Sequence, residues 1–349
     1  MNFIPDYTQI EAVLHNKHPQ RLPLYEHHID DGFITKVLDK TVALMGKKIS
    51  DYTHYYQERF KFWKDMTYDA MDYEASVCDI FPGHGAIFGG VQGPIQSRND
   101  FNTYPFEEIP VRFWEEYSPH LDAIRAVLPE GMKVYGGCGY GIFEASEDLV
   151  GFENLAVLQY TDPDLFSDLY MRIGDLYVEL WSEMVRRYDD LFVFYRMGDD
   201  LGYKMSTLLE PDTIKQHILP QYQRIINIAH SKGKKFLLHS CGNIFSVMDD
   251  IIELGIDAKH SNEDEIAPFE EWISRYGNSI GLMGGIDVNT LCLNGYHDVY
   301  EIVYSKAIKY RSTANGYALG SGNSITDYVP VDGFMAMIDA AKAIRESEG

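Results

Sequence analysis

A histidine and a cysteine two residues apart, His239 and Cys241, form the pair in this sequence best suited to hold a metal ion. They follow the apolar run 235–238 and precede a Gly-Asn turn, a pattern that indicates the end of a β-strand. Residues two apart in a strand point the same way, so both side chains can reach one zinc ion if the extended geometry persists to Cys241. The pair also fits a core histidine beside an inert buried thiol, and both interpretations stay open on the motif alone.

The elements that must position this pair are short apolar runs, each ending in a polar or glycine-rich cluster and separated by helical stretches. Eight such runs occur: Leu22–Glu26, Ala75–Ile80, Met132–Gly136, Leu191–Arg196, Lys235–Leu238, Ile256–Lys259, Ser279–Met283 and Gly316–Leu319. This alternation predicts an α/β protein, a single (β/α)8 TIM barrel with N-terminal helical additions. Catalytic groups of such barrels lie at the carboxyl ends of the strands, where the His, Asp, Glu and Cys clusters of this sequence fall.

The chain is longer than a bare barrel requires, because it has 349 residues where ~250 are typical. We expect one domain over residues 1–349, with an N-terminal extension at 1–20 and decorations at 39–72 and 85–130. Both decorations are rich in Tyr, Phe and Trp, so they are expected to pack against the barrel.

Charge and composition narrow the choice of partners. The formal net charge is 30 − 53 = −23, which argues against nucleic acid or an anionic membrane as a partner. The N-terminal residues lack the basic and apolar regions of a signal peptide, and no apolar run is long enough to span a bilayer. The four scattered cysteines fit a reducing compartment, so we expect a cytoplasmic location.

The order of the strand-end motifs resembles the uroporphyrinogen decarboxylase superfamily, and within it the branch of zinc- and corrinoid-dependent methyltransferases. The resemblance extends from Arg21 to Ala341 and is carried by six segments: Arg21–Glu26, Gly198–Gly202, Leu238–Asn243, Ile256–Ser261, Gly284–Asp287 and Leu319–Ser324. It implies a (β/α)8 barrel, a Zn²⁺ ion held in part by His239 and Cys241, and a corrinoid (cobalamin) carried by a partner protein.

Two departures from the family pattern bear on activity. The decarboxylases carry an Arg-rich segment after the first strand, whereas this chain has Glu26, His27 and His28 there, which gives a polycarboxylate substrate no cationic partner. The methyltransferases take a second zinc-binding Cys near the last strand, where this chain has Ser321, a poor zinc ligand. A third metal ligand must therefore be recruited, and Glu26, His260 and Glu263 are the candidates.

These residues predict a methyltransferase that moves a methyl group between a small methylated substrate, such as a methoxylated aromatic, and the cobalt of a corrinoid protein. Asp199, Asp200 and Glu26 are the candidate catalytic residues, since a protonated acid can stabilise a departing oxygen. One of the adjacent aspartates could instead cap the following turn. Candidate substrate-binding residues are His27, His260, Asp287, Ser321 and Asn323. Uroporphyrinogen decarboxylation and a non-catalytic ligand-binding barrel stay open as alternatives.

Overall fold

A parallel seven-stranded sheet forms the centre of the molecule in the computed structural model, which describes residues 3–348. The strands are β1 (Ala70–Ser76), β2 (Lys133–Gly139), β3 (Phe192–Gly198), β4 (Phe236–His239), β5 (Ala258–His260), β6 (Gly281–Ile286) and β7 (Tyr317–Ser321). Each strand pairs with the next one along the chain. All polar groups that follow the strands are therefore brought to one edge of the sheet.

Fifteen α-helices are found in the described residues: α1 (Thr8–Leu14), α2 (Asp31–Leu38), α3 (Ile49–Asp65), α4 (Arg98–Thr103), α5 (Ile109–Val127), α6 (Ile142–Val150), α7 (Phe152–Thr161), α8 (Pro163–Tyr188), α9 (Pro211–Thr213), α10 (Leu219–His230), α11 (Phe245–Glu253), α12 (Phe269–Tyr276), α13 (Val288–Leu293), α14 (Tyr296–Thr313) and α15 (Val331–Glu348). Short 3-10 turns lie at Cys78–Ile80, Ala86–Phe88 and Phe106–Glu108, and a π turn at Ile214–Ile218 leads into α10. No helix within residues 3–348 is both long and apolar enough to cross a membrane.

The α/β class with parallel strands is confirmed, and two of the eight predicted runs differ from the structure. The first run, Leu22–Glu26, contributes one parallel bridge from Leu24 to Leu319 of β7 in place of a regular strand. The prediction of a strand at Ala75–Ile80 was wrong in its bounds, because β1 spans Ala70–Ser76. The error has a physical cause. β1 carries two ionisable residues, Asp72 and Glu74, whose ion-pair partners lie on α3 and β3, so its apolar pattern is broken.

Strand register places the candidate site residues. Gly198, His239 and His260 are directly paired across β3, β4 and β5. The residues after them, beginning with Asp199 and Ser240, continue the ladder through Asp199 N to His239 O at 2.9 Å and Ser240 N to His260 O at 3.1 Å. The carboxyl ends of these three strands are thus level with one another.

A small hairpin after β3 covers the end of β4. It is closed by an antiparallel bridge between Gly202 and Thr207, and its Tyr203 carbonyl accepts from Asn243 N at 2.7 Å. Gly202 lies so close to Gly242 that a Cβ at Gly242 would come within 2.1 Å of the Gly202 carbonyl carbon. The two glycines let the hairpin and the loop that follows His239 pack backbone to backbone.

We predict that Gly242→Ala lowers the free energy of unfolding by more than Gly233→Ala. Both glycines have left-handed backbones, with φ of +80° and +73°, so the strain is matched at about 1 kcal/mol. Only Gly242 meets another backbone, since Gly233 has nothing within 4 Å of an added Cβ. Urea unfolding of both variants measures the difference, and equal losses would contradict the proposed close packing.

Candidate metal centre

Three ligand-type side chains, Asp200, His239 and Cys241, converge at the carboxyl ends of β3 and β4. Their ligand atoms lie within 4.8 Å of one another. His239 Nε2 is 3.5 Å from Cys241 Sγ and 4.0 Å from Asp200 Oδ1. Asp200 Oδ1 also accepts from the Cys241 backbone N–H at 2.8 Å, which ties the two loops together. Cysteine sulfur, histidine nitrogen and carboxylate oxygen are the ligand atoms that zinc takes in proteins.

A chain of hydrogen bonds settles which nitrogen of His239 is free. The carbonyl oxygen of Ser321 can only accept, so His260 donates to it from Nε2 at 2.9 Å and leaves its own Nδ1 unprotonated. His260 Nδ1 lies 2.7 Å from His239 Nδ1, which must therefore carry the donated proton. The lone pair of His239 is thus on Nε2, directed toward Cys241 and Asp200. This arrangement is typical of metal-binding histidines, whose second nitrogen donates to a partner.

His27 forms a second histidine group with His239 and His260, but its geometry suits stacking and not ligation. The three side chains have ligand atoms within 4.8 Å of one another. However, the rings of His27 and His239 are stacked, with centroids 3.5 Å apart and planes 18° from parallel. Lone pairs lie in the ring planes, so stacked rings cannot both point to one ion. The Nδ1 atoms of His239 and His260 are also already used on each other.

Polar side chains surround the Cys241 sulfur. Ser261 Oγ and Asn323 Nδ2 each donate to Sγ at 3.5 Å. Ser261 adopts φ +96°, a conformation unusual for any residue other than glycine. Burial, followed by the nearby Asp200 carboxylate, raises the pKa of the Cys241 thiol. A bound cation would reverse this, because a coordinating thiol is deprotonated by its metal.

Asp199 and Asp200 have different surroundings. Asp199 is fully buried and accepts from the backbone N–H groups of Phe143 and Glu144, each at 2.9 Å, and from Tyr222 Oη at 2.6 Å. Burial raises its pKa to about 6 against these donors. Asp199 therefore holds the first turn of α6, the capping arrangement that the sequence left open for one of the two aspartates.

Glu26 and Ser321 bind each other at the carboxyl end of β7. The Glu26 carboxylate accepts from the backbone N–H and hydroxyl of Ser321 and from Tyr68 Oη. Glu26 is fully buried, and burial raises its pKa to about 8 despite these donors. The pair joins the first predicted strand to β7 and lies apart from the converged group of Asp200, His239 and Cys241.

The remaining predicted residues are placed as follows. His260 is buried behind His239 and contacts no open space. Asp287 accepts from Asn289 N and Asp264 N at 2.7 and 2.8 Å, at the start of α13. Glu263 was a candidate for the third metal ligand, but it is not among the residues whose ligand atoms converge. Asp200 is the third residue of that group.

Two groups of residues near the site were not found from the sequence. Glu144, on the first turn of α6, has a pKa raised well above its ordinary range by burial and by the charges of Asp199 and Asp200. The position of Glu144 just after the glycine-rich end of β2 was a usable signal. Arg59 and Arg196 are buried beside His27 and pair with Asp72 and Glu74 at 2.7 and 2.9 Å. These pairs join residues on different elements, 13 and 122 residues apart in the sequence, so no pattern within one element marks them.

The sequential parallel sheet with polar groups at its carboxyl edge defines a TIM-barrel-like α/β protein. Residues 74–344 match the uroporphyrinogen decarboxylase (URO-D) family, and the chain belongs to that family. The predicted resemblance to this superfamily is thereby confirmed.

Solved structures with similar folds include a methyltransferase from Methanosarcina mazei, with a TM-score of 0.70 and 15% sequence identity over 96% of this chain and 98% of that one. A B12-independent methionine synthase from Shewanella sp. W3-18-1 has a TM-score of 0.49 and 11% identity over 86% of this chain and 88% of that one. At 15% identity the likeness to the Methanosarcina mazei structure concerns the fold alone. Comparison with curated proteins finds no significant match.

We predict that Glu26→Gln changes how stability depends on pH. Burial raises the pKa of Glu26 from 4.5 to about 8, so the folded protein keeps a proton that the unfolded chain releases within this window. Stability from this group is therefore lost as pH rises from about 4.5 to 8, by at most about 1.4 kcal/mol per pH unit. Gln mimics the protonated acid and removes that slope.

Urea unfolding at several pH values between 5 and 8 measures the slope in both proteins. Glu130→Gln is the control, because Glu130 is exposed. Parallel stability curves for the parent and Glu26→Gln would show that Glu26 titrates normally.

Proposed function

We propose that this protein is a methyltransferase that moves a methyl group between a small methylated substrate and the cobalt of a corrinoid carried by a partner protein, assisted by zinc. The observation that carries the proposal is the convergence of Asp200, His239 and Cys241, with the His239 Nε2 lone pair directed toward the other two. The likeness in fold to the Methanosarcina mazei methyltransferase supports it.

Asp200, His239 and Cys241 would hold the zinc ion, and His260 and the Ser321 carbonyl would orient His239. Zinc would supply Lewis acidity toward the heteroatom that carries the methyl group. Ser261 and Asn323 would donate hydrogen bonds to the Cys241 sulfur and so moderate its charge. Under this assignment Asp200 is a ligand, which replaces Glu263 in the set expected from the sequence.

Proton supply is assigned to Glu144. Asp199 is occupied by three donors, Asp200 belongs to the ligand group, and Glu26 is enclosed by Ser321 and Tyr68. Glu144 and Glu147 are both carboxyl groups on α6 whose pKa is raised by burial and by the charges of Asp199 and Asp200. Glu144 is assigned the role because it lies in the first turn of α6, which Asp199 holds. A protonated carboxylic acid there could stabilise a departing oxygen as the methyl group leaves.

A partner protein that carries a corrinoid would dock at the carboxyl edge of the strands. Large apolar side chains are exposed on the segments that follow the strands and the Leu22–Glu26 run: Met45, Phe88, Val91, Tyr203, Met205, Leu293 and Tyr328. Exposed apolar residues on segments that follow parallel strands would give such a partner apolar surface to contact. The corrinoid, as Co(I), would supply the nucleophile for the methyl group.

We further propose that Leu22–Glu26 completes an eight-stranded barrel in a single domain. Three contacts support this closure: the bridge from Leu24 to β7, the Glu26–Ser321 pair and the hydrogen bond from Tyr135 Oη to Glu26 O at 2.6 Å.

Uroporphyrinogen decarboxylation is the less favoured function, because Arg59 and Arg196 already have carboxylate partners and leave no free cation for a polycarboxylate.

We predict that zinc binding depends on Asp200, His239 and Cys241 and not on Glu263. Zinc competition with a chromophoric chelator should show at least about a tenfold loss of affinity in Asp200→Asn and Cys241→Ser, with Glu263→Gln unchanged. His260→Gln should lose about 10- to 100-fold through misorientation of His239. With Co²⁺, the parent should show a thiolate-to-metal band that Cys241→Ser lacks. A loss in Glu263→Gln equal to that in Asp200→Asn would refute this ligand set.

Methyl transfer itself is tested with Co(I) cobalamin and a panel of methoxylated aromatics, methylamines and methyl thiols. We expect transfer with at least one class, and a loss of about 10²- to 10⁴-fold in Glu144→Gln with an unchanged zinc content. Glu153→Gln, an exposed position on α7, is the matched control. Zinc binding without transfer from any class, or detectable decarboxylation of uroporphyrinogen, would overturn the proposed activity.

A further inference from the structure

A cavity of about 410 Å³ lies beside the metal centre, enclosed by side chains of α3, β1, α5 and β3 and of the two residues that follow Glu26. The cavity and the metal centre meet at His27, whose ring lines the cavity and stacks on His239 at 3.5 Å. Arg196, which also lines the cavity, donates to the His27 carbonyl oxygen and to Glu74. The volume is within the range of sites for small organic ligands.

The walls of this cavity are mainly aromatic. Eight of its thirteen lining residues carry rings, five of them tyrosines, and none is aliphatic. Rings in the wall offer flat faces and polar edges, so a planar aromatic ligand can stack while its substituents reach hydroxyl groups. A flexible aliphatic ligand would gain less from such walls.

Each charged side chain in the wall already has a partner of opposite charge. Asp72 binds both Arg59 and His28 at 2.7 Å, and Glu74 binds Arg196 at 2.9 Å. Arg59 also binds Asp31 at 2.6 Å, and His28 also binds Asp30 at 3.3 Å. Removing either carboxylate's partner would leave a buried charge, so these pairs are part of the wall and not free to bind an anion. The cavity therefore suits a ligand of low charge, although the whole chain carries −23.

Tyr140 gives an independent sign of a binding role. Its backbone is left-handed, with φ +56°, a strained conformation for a residue with a side chain. Its ring lines the cavity, and its hydroxyl makes no hydrogen bond to another residue in the 3–348 range. A strained backbone at a residue that lines a cavity is typical of a ligand-binding position.

We infer that this cavity binds the ring of an oxygen-substituted aromatic substrate, stacked among the tyrosines, with its methyl ether directed toward His27 and the metal centre. The inference rests on the proposed function for the fate of the methyl group. It deepens that function by naming the substrate class, a neutral methoxylated arene, and by placing the ring in the cavity beside His27.

Binding can be tested without the reaction, on the full chain stripped of metal and without corrinoid. The probes are 1,2-dimethoxybenzene, its 2-methoxybenzoate counterpart and methoxycyclohexane, which carries a methyl ether without a π face. Calorimetric titration should show the neutral arene binding at least about tenfold more tightly than the saturated ether. Tighter binding of 2-methoxybenzoate than of the neutral arene would contradict the charge argument.

Variants locate the binding site. Tyr140→Ala should weaken binding of dimethoxybenzene about tenfold or more, while Tyr160→Ala, an exposed tyrosine on α7, should leave it unchanged. Tyr56→Phe, which removes only the hydrogen bond to His120 and keeps the ring, should retain most of the affinity. Thermal unfolding checks that each variant is folded.

Equal affinity for the arene and the saturated ether, or arene binding unaffected by Tyr140→Ala in a folded protein, would overturn the inference. Arene binding at this cavity without methyl transfer would leave the inference standing and count against the proposed function alone.

Discussion

The hydrogen bond from His260 to the Ser321 carbonyl is the interaction on which the geometry of the candidate metal centre depends. A carbonyl oxygen has no proton to give, so it fixes the tautomer of His260, and His260 in turn fixes that of His239. The relay joins residues of three strands, β7, β5 and β4. The direct pairing of His239 with His260 sets the distance between the two histidines. The backbone of the last strand thereby determines which nitrogen of His239 faces Asp200 and Cys241.

The buried carboxyl groups around this relay differ in how many hydrogen bonds each of them accepts. Asp199 and Glu26 each accept three or more hydrogen bonds from groups that belong to neighbouring elements, and both connect parts of the barrel. Asp200 accepts a backbone donor and keeps its position beside His239. Burial of a carboxylate is costly unless donors or a cation compensate it. The first two are therefore satisfied by the fold, while Asp200 with Cys241 has a donor set that a divalent cation would complete.

The sequence predicted those features of the fold and the site that depend on interactions between residues close together in the chain. The approach of His239 to Cys241 follows from strand alternation and the short connection between them, and the order of the strands follows from the repeating apolar runs. The division of roles between Asp199 and Asp200 could not be read, because it depends on where α6 begins relative to β3. The prediction placed β1 too far toward the carboxyl terminus for a related reason. Its Asp72 and Glu74 are stabilised by Arg59 and Arg196, and only the folded chain brings those residues together.

The paired charges beside His27 explain how an acidic protein can present a cavity of low charge. Each arginine in the wall is matched by a carboxylate within 2.9 Å, so the field inside the cavity is set by local dipoles and ring faces and not by the net charge of the chain. Recognition there must come from shape and stacking, since no unpaired cation is available to attract an anion. The stacked contact of His27 with His239 then means that a ligand pressing on His27 acts on the same ring whose far nitrogen faces the metal centre. A ring bound in this cavity would therefore be linked, through one stacked pair of imidazoles, to the nitrogen that faces Asp200 and Cys241.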